Sequence, residues 1–258
     1  MLPTEKELDR LRKEFVSRVS QKNLKQLLEA LVTDVTEESI SKRVALLITN
    51  KTFDGYSTRH GAEKDEYEMH CMLADLGYDV VKCRNLTVKV VLKFSKHPHL
   101  VHTDSVFVVI MSHGSLQGVC GTDCKPFEIE NIYKSLNTQN CPALHNKPKV
   151  IIIQACRGGD FHSFIPEMLR FIDTDQIPAA QIVRFFWLAD TTSYRDESYG
   201  SYFIQYIVEI FKEFADVDHI EELFRKVMQR FEESEFGEIQ MPSKDRCTLT
   251  KNFYLLPY

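Results

Sequence analysis

Hydrophobic positions along the chain follow two patterns, and the change between them lies near residue 40. Over residues 5–32 apolar side chains recur every three or four positions, which predicts helix. From Arg43 onwards, short apolar runs rich in β-branched residues alternate with amphipathic stretches. This pattern predicts six strands, over residues 44–49, 78–82, 105–111, 149–154, 182–188 and 248–256. It also predicts five helices between them, over residues 62–76, 87–97, 126–136, 202–214 and 220–231.

Strands that alternate with helices are typical of a parallel sheet with helices on both faces. The run over residues 44–49 is mostly apolar and contains β-branched residues, as expected when both faces of a sheet are covered. The sequence therefore predicts an α/β fold, a three-layer sandwich around a six-stranded, mostly parallel sheet. Because the stretch 33–39 is polar, we expect a helical segment over residues 1–38 and one α/β domain over residues 39–258.

Composition narrows the class of protein further. The chain has 258 residues, 43% of them hydrophobic, with only 10 glycines and 9 prolines, which excludes collagen-like and generally disordered chains. A net charge of −5 offers no basic field for nucleic acid or for an anionic membrane. Seven scattered cysteines argue against a disulfide scaffold, and the N-terminus becomes charged at once, unlike a signal peptide. Because the longest apolar run, Val106–Met111, is too short to span a bilayer, we expect a soluble cytoplasmic protein.

Two predicted strands deliver a reactive side chain at their carboxyl ends, where ligands bind in open α/β sheets. The strand that ends at residue 111 continues into His113 and Gly114, and the strand that ends at residue 154 continues into Cys156. A cysteine thiolate attacks a carbonyl carbon while an imidazole transfers the proton, and the amides of Gly114 and Cys156 would hold the oxyanion. Each residue also has an ordinary interpretation, because a cysteine at a buried strand end is usually a small hydrophobic residue and a lone histidine is usually structural.

The residues around Cys156 distinguish these interpretations. The pentapeptide Gln154–Gly158 is the local signature of the caspases, in which a histidine lies about 50 residues upstream. Here His113 lies 43 residues upstream. The chain resembles the inflammatory group of the caspases from about Lys42 to Tyr258, including Phe107–Gly114, Asn146–Gly158, Met241–Pro242, Thr248–Thr250 and Phe253–Pro257. This resemblance implies a cysteine endopeptidase that cleaves after aspartate, with Cys156 as the nucleophile and His113 as the acid and base.

The resemblance also implies a substrate pocket of two arginines and a glutamine. The first arginine of the family's pattern matches Arg59, and the glutamine two residues before the nucleophile matches Gln154. The second arginine matches Arg195, which follows Ser193 and Tyr194, where tyrosine replaces the family's usual tryptophan. Two guanidinium groups can bind one carboxylate through charge-assisted, bidentate hydrogen bonds, and an amide can complete the set.

Family organisation divides the α/β domain further. The resemblance implies a large-subunit part over about residues 39–160, a linker over about residues 160–181 and a small-subunit part over about residues 182–258. The linker contains Asp160, Asp173 and Asp175, and we expect self-cleavage after Asp173 or Asp175, which lie in a predicted loop. Two large-plus-small units are expected to form a homodimer, with the apolar run 248–256 at its edge.

Partners follow from the same resemblance. The implied substrates are cytokine precursors and gasdermins, in inflammatory cell death. Residues 1–38 resemble only part of a caspase-recruitment domain, so an inflammasome adaptor is a candidate partner although the truncation argues against normal recruitment. The alternative is a catalytically weak or inactive regulator that dimerises with active caspases or acts as their decoy. No metal or other cofactor is expected, because Cys120 and Cys124 lack the second cysteine pair of a zinc site, despite nearby His97, His99 and His102.

The charges after Arg195 predict a preference for the substrate side chain four positions before the cut. Asp196 and Glu197 would repel an acidic side chain there, so we expect a hydrophobic or neutral residue to be preferred. A peptide-library cleavage profile measures this directly. Selection of aspartate at that position would contradict the prediction.

Overall fold

The structure is a computed structural model that describes residues 42–86, 94–115, 118–156, 182–189, 195–196, 198–234 and 242–256. Its strands in chain order are β1 (Arg43–Thr49), β2 (Tyr78–Arg84), β3 (Val106–Ser115), β4 (Gly118–Cys120), β5 (Pro126–Phe127), β6 (Lys149–Cys156), β7 (Ile182–Ala189), β8 (Arg195–Asp196), β9 (Gly200–Ser201) and β10 (Ser243–Cys247). Its α-helices are α1 (Ala62–Asp75), α2 (Glu130–Leu136), α3 (Tyr202–Phe214) and α4 (Ile220–Glu232). Short 3₁₀ turns occupy Pro98–Val101 and Pro142–Leu144.

The central sheet has the strand order β10-β7-β6-β3-β1-β2. Every neighbouring pair along this order is parallel except β10 and β7, which are antiparallel. Beside it, β4 pairs with the end of β3 and β5 pairs with β4, while β8 and β9 form a separate two-stranded sheet. The predicted six-stranded, mostly parallel sheet is confirmed.

Side chains of the sheet alternate between two hydrophobic cores, one on each face. From β1, Ala45 and Leu47 pack into the core formed with α1, α3 and α4. Their neighbours Val44 and Leu46 pack into the other core, which includes residues of α2. Since a strand's side chains point to opposite faces in turn, continuous hydrophobicity along β1 requires helices on both sides. The three-layer arrangement expected from the sequence is thus observed.

The predicted final strand over residues 248–256 is wrong. The antiparallel edge strand is β10, which begins five residues earlier and has a largely polar sequence. The apolar tail instead buries Phe253 and Leu255 in the core beside α3 and α4. Its backbone is held at the start of α4, where the Ile220 amide donates to the Phe253 carbonyl at 2.8 Å. Packing on a helix explains the apolar pattern that resembled a strand.

Two predicted helices also differ from the structure. The helix predicted from residue 126 begins at Glu130, because Pro126–Phe127 pairs with β4 as a strand. Of the helix predicted over residues 87–97, residues 87–93 lie outside the described residues. The helical segment predicted over residues 1–38 and the linker expected over residues 160–181 lie outside them as well.

No helix in the described part of the chain is long and apolar enough to cross a membrane.

A buried lysine begins the central strand β6. The Nζ atom of Lys149 donates to the carbonyl oxygens of Leu144 at 2.8 Å and Lys147 at 2.9 Å. Burial disfavours the charged ammonium and lowers the pKa of Lys149 to about 8. The charged form is therefore less stable in the folded chain than in the unfolded one.

This lysine predicts a stability that rises with pH. The folded-state pKa of Lys149 lies below the unfolded value, so the unfolded chain binds more protons between about pH 8 and pH 10.5. The free energy of unfolding therefore rises with pH across that range. Denaturant unfolding at pH 7 and pH 10 should show a gain of about 2–3 kcal/mol relative to Lys149→Met, which lacks the titrating group. Lys134→Met, at an exposed lysine, should leave the gain unchanged. Parallel pH curves for the original chain and Lys149→Met would contradict this account.

Candidate active site

His113 and Cys156 are direct partners on neighbouring strands. The parallel register of β3 and β6 pairs Met111 with Gln154, Ser112 with Ala155 and His113 with Cys156. Both strands extend beyond the ends predicted from sequence, so the two residues are held by the sheet itself. The pair lies at the carboxyl end of the sheet, next to the point between β1 and β3 where the strand order reverses, which is where α/β sheets bind ligands.

The loop after β1 fixes the orientation of His113. Its Nε2 atom lies 2.8 Å from the carbonyl oxygen of Ser57, and a carbonyl can only accept, so Nε2 carries the proton. In the neutral ring the lone pair is then on Nδ1, which is the basic position. The ring also packs against Phe53 and Tyr56, with centroid distances of 4.6 and 5.4 Å. One tautomer and one ring orientation are therefore selected.

A buried hydrogen-bond network joins this loop to β3. The Nδ2 atom of Asn50 donates to Ser112 Oγ at 3.2 Å and to the Cys120 carbonyl at 3.3 Å. The Ser112 hydroxyl donates to the same carbonyl at 2.6 Å, and Asn50 Oδ1 accepts from the Leu86 amide at 2.9 Å. Asn50 and Ser112 are both buried. The network fixes the loop against the residue that precedes His113.

Asn50 and Ser112 are functional neighbours that sequence reasoning missed. Each is a polar residue at the end of an apolar strand, which is the signal that would have singled them out. Asn50 and Ser112 lie 62 residues apart in sequence, so sequence spacing alone could not show that they form a hydrogen bond.

Arg59 and Gln154 meet in a buried pair beside the histidine and cysteine. Their side chains are hidden, with residue exposures of 2% and 1%. Arg59 Nη2 donates to Gln154 Oε1, and Arg59 Nη1 donates to the Asn50 carbonyl at 2.8 Å. Within the described part of the chain, Gln154 Nε2 is buried with no hydrogen-bond partner. The structure thus places the two side chains in contact, and a guanidinium beside an amide donor favours a carboxylate ligand.

Local backbone geometry brings Arg59 to this position. Its amide donates to the Lys51 carbonyl at 3.0 Å, which folds the loop back on itself. Gly61 then adopts a φ of 77°, in the left-handed region that glycine tolerates, and α1 begins at Ala62. The backbone of Arg59 is thus held by the hydrogen bond to Lys51 on one side and by the turn at Gly61 on the other.

The remaining predicted site residues have different outcomes. Gly114 is paired with Val119 of β4, so its backbone is fixed next to His113. Arg195 lies on β8, where its backbone pairs with Ser201 of β9. The other predicted residues lie outside the described residues, namely Ser193, Tyr194, Asp160, Asp173 and Asp175.

Tyr56 forms an outer wall of the site. The nearby Cys120 is the main cause that raises the pKa of its hydroxyl, followed by burial and by Cys124. Both cysteines considered for a zinc site therefore lie beside the histidine's aromatic support. The described residues contain no group of three or more potential metal ligands from histidine, cysteine, aspartate or glutamate.

A cysteine and a histidine paired across parallel strands, beside a buried arginine, define a candidate thiol-dependent site in an α/β sandwich. Comparison with known proteins gives its family. The Caspase domain family model matches residues 42–254. The chain is 41% identical over 226 residues to Caspase a of Danio rerio. The aligned region covers 79% of this chain and 59% of that protein.

Two mammalian relatives agree with this match. Over 232 residues the chain is 39% identical to Caspase-1 of Mus musculus, covering 80% of this chain and 57% of that protein. Over 234 residues it is 39% identical to Caspase-4 of Mus musculus, and the aligned region covers 80% of this chain and 62% of that protein. The chain therefore belongs to the caspase family, and it spans between 57% and 62% of the length of these three relatives.

Proposed function

We propose that this chain is a cysteine endopeptidase that hydrolyses peptide bonds after aspartate. The observation that carries the proposal is the pairing of His113 with Cys156 beside the buried Arg59–Gln154 pair. One half of this arrangement suits acyl transfer, and the other half suits recognition of a carboxylate. Family membership supports the same reaction.

The chemistry begins at the sulfur of Cys156. Its thiol proton passes to Nδ1 of His113, and the thiolate attacks the scissile carbonyl carbon to form a C–S bond. Amides of Gly114 and Cys156 stabilise the oxyanion of the tetrahedral intermediate. The C–N bond then breaks as the imidazolium returns its proton to the leaving amine, which leaves a thioester.

Water completes the reaction. His113 Nδ1 removes a proton from water as the oxygen attacks the thioester, and the C–S bond then breaks as the imidazolium returns this proton to the cysteine sulfur, which releases the acid. During both acylation and hydrolysis of the thioester, the Ser57 carbonyl keeps its hydrogen bond to the Nε2–H group of His113 and stabilises the imidazolium. The histidine can therefore alternate between base and acid without rotating.

Aspartate is recognised by the buried pocket. Arg59 supplies charge-assisted donors, and Nε2 of Gln154, which has no hydrogen-bond partner among the described residues, supplies a further donor to the same carboxylate. Arg195 is the third member, brought from the β8–β9 hairpin. A substrate with an uncharged side chain would leave the buried Nε2 donor of Gln154 unpaired, which weakens its binding.

The biological role is proposed from family membership. The substrates are cytokine precursors and gasdermins, cleaved in the cytoplasm during inflammatory cell death. The active form is a homodimer of large-plus-small units that pair through the β10 edge, after self-cleavage at Asp173 or Asp175. The replacement of tryptophan by Tyr194 motivates the rival function, an inactive regulator that dimerises with active caspases.

Removing the nucleophile tests the reaction and the processing together. With a fluorogenic aspartyl peptide, Cys156→Ala should lower turnover at least about 10³-fold, because no other group supplies the thiolate. Mass spectrometry should find the original chain cut after Asp173 or Asp175 and the variant intact. The control Cys71→Ala, at a partly buried cysteine on α1, should retain activity and processing. No turnover by the original chain, even at concentrations that favour dimers, would support the regulator instead.

Substituting Gln154 tests the pocket separately from the nucleophile. In Gln154→Glu the new carboxylate accepts from Arg59 and removes the Nε2 donor, so the pocket repels a substrate aspartate. The KM for the aspartyl peptide should rise about tenfold to a hundredfold, with a smaller change in kcat and little change in melting temperature. Gln139→Glu, at an exposed glutamine, is the matched control and should behave as the original chain. An unchanged KM in Gln154→Glu would show that aspartate binds elsewhere.

A further inference from the structure

A buried aspartate outside the reacting groups holds the hairpin that carries Arg195. Asp65 lies on α1 with an exposure of 1%, and its Oδ1 atom accepts the Ser201 amide proton at 2.7 Å. Ser201 is also the N-cap of α3, so the carboxylate lies at the positive end of that helix dipole. Both the hydrogen bond and the dipole attract the negative charge of Asp65.

The backbone on the other side of this contact is shaped to admit the carboxylate. Gly200 has a φ of 83°, and a Cβ atom placed there would lie 2.3 Å from Asp65 Oδ1. A side chain at position 200 would therefore displace either the hairpin or the aspartate. The Asp65 carboxylate therefore packs directly against the backbone of β9 at Gly200.

Strand pairing carries this contact to the proposed pocket. In the β8–β9 ladder Arg195 pairs with Ser201 and Asp196 pairs with Gly200, so the backbone of Arg195 lies one strand away from the amide that Asp65 binds. The same helix, α1, begins three residues after Arg59. One turn of α1 thus connects the segment of the first arginine to the hairpin of the second.

We propose that Asp65 is a positioning residue for substrate specificity, which sets Arg195 at the correct distance from Arg59 so that both bind one carboxylate. This role rests on the proposed function. The bond joins residues 136 positions apart, on either side of the segment 160–181. It therefore persists when that segment is cut, and it keeps the pocket assembled between the two resulting pieces.

The test compares three variants in the full chain. Asp65→Ala removes the acceptor, Asp65→Asn keeps an oxygen acceptor without the charge, and Asp75→Ala changes an exposed aspartate at the far end of the same helix. Steady-state kinetics are measured on two fluorogenic peptides that differ only in aspartate or glutamate before the cut. Melting temperatures are recorded alongside.

The proposal predicts a graded loss of recognition. Asp65→Ala should raise KM for the aspartyl peptide about tenfold and lower the preference for aspartate over glutamate, because Arg195 is no longer held at one distance. Asp65→Asn should bring both KM and the preference for aspartate close to the values of the original chain. Asp75→Ala should match the original chain. A purely structural role would lower the melting temperature and the fraction of active enzyme but leave KM and the preference unchanged.

Outcomes separate this inference from the proposed function. If the original chain cleaves the aspartyl peptide and folded Asp65→Ala has the same KM and preference, the positioning role is overturned and the protease assignment stands. If Asp65→Ala does not fold, Gly200→Ala decides, because its Cβ collides with the same carboxylate. A raised KM with reduced preference in Gly200→Ala supports the role, and unchanged values overturn it. If the original chain cleaves no aspartyl peptide, the proposed function fails and the role fails with it.

Discussion

The parallel register between β3 and β6 is the constraint on which the rest of the site depends. Phe107 and Val109 of β3 are paired with Val150 and Ile152 of β6, and all four pack into the core beneath α1, α3 and α4. Because side chains alternate along a strand, a slip of one residue would move this whole set to the opposite core. Burial on both faces therefore fixes the register, and the same register sets His113 opposite Cys156.

Around that constraint, buried polar groups are used in two different ways. Arg43 donates to the Asp104 carboxylate at 2.8 Å and to the Leu76 carbonyl at 3.1 Å, so its charge is paired within the fold. Arg59 donates to the neutral oxygens of Asn50 and Gln154, and these bonds orient its guanidinium group. A guanidinium oriented beside the amide of Gln154 is suited to bind a carboxylate through charge-assisted hydrogen bonds.

The sequence predicted most of this arrangement because the informative signals are local. Short, mostly apolar runs located five of the six main strands, and the reactive residues that follow two of these runs located His113 and Cys156. The tail over 248–256 was misassigned because packing on α4 produces the same apolar pattern as a strand. The contacts of Asn50 with Ser112 and of Asp65 with Ser201 could not be predicted, because the partners lie 62 and 136 positions apart and neither spacing nor periodicity records such contacts.

The most direct test of the central claim is covalent labelling by a peptide that ends in an aspartyl halomethyl ketone. The thiolate displaces the halide and leaves a stable thioether, so digestion and mass spectrometry report which cysteine reacted. The account predicts one adduct per chain, on the peptide that contains Cys156, and none from the matched probe with lysine in place of aspartate. Equal labelling of several cysteines, or equal labelling by the lysine probe, would contradict it.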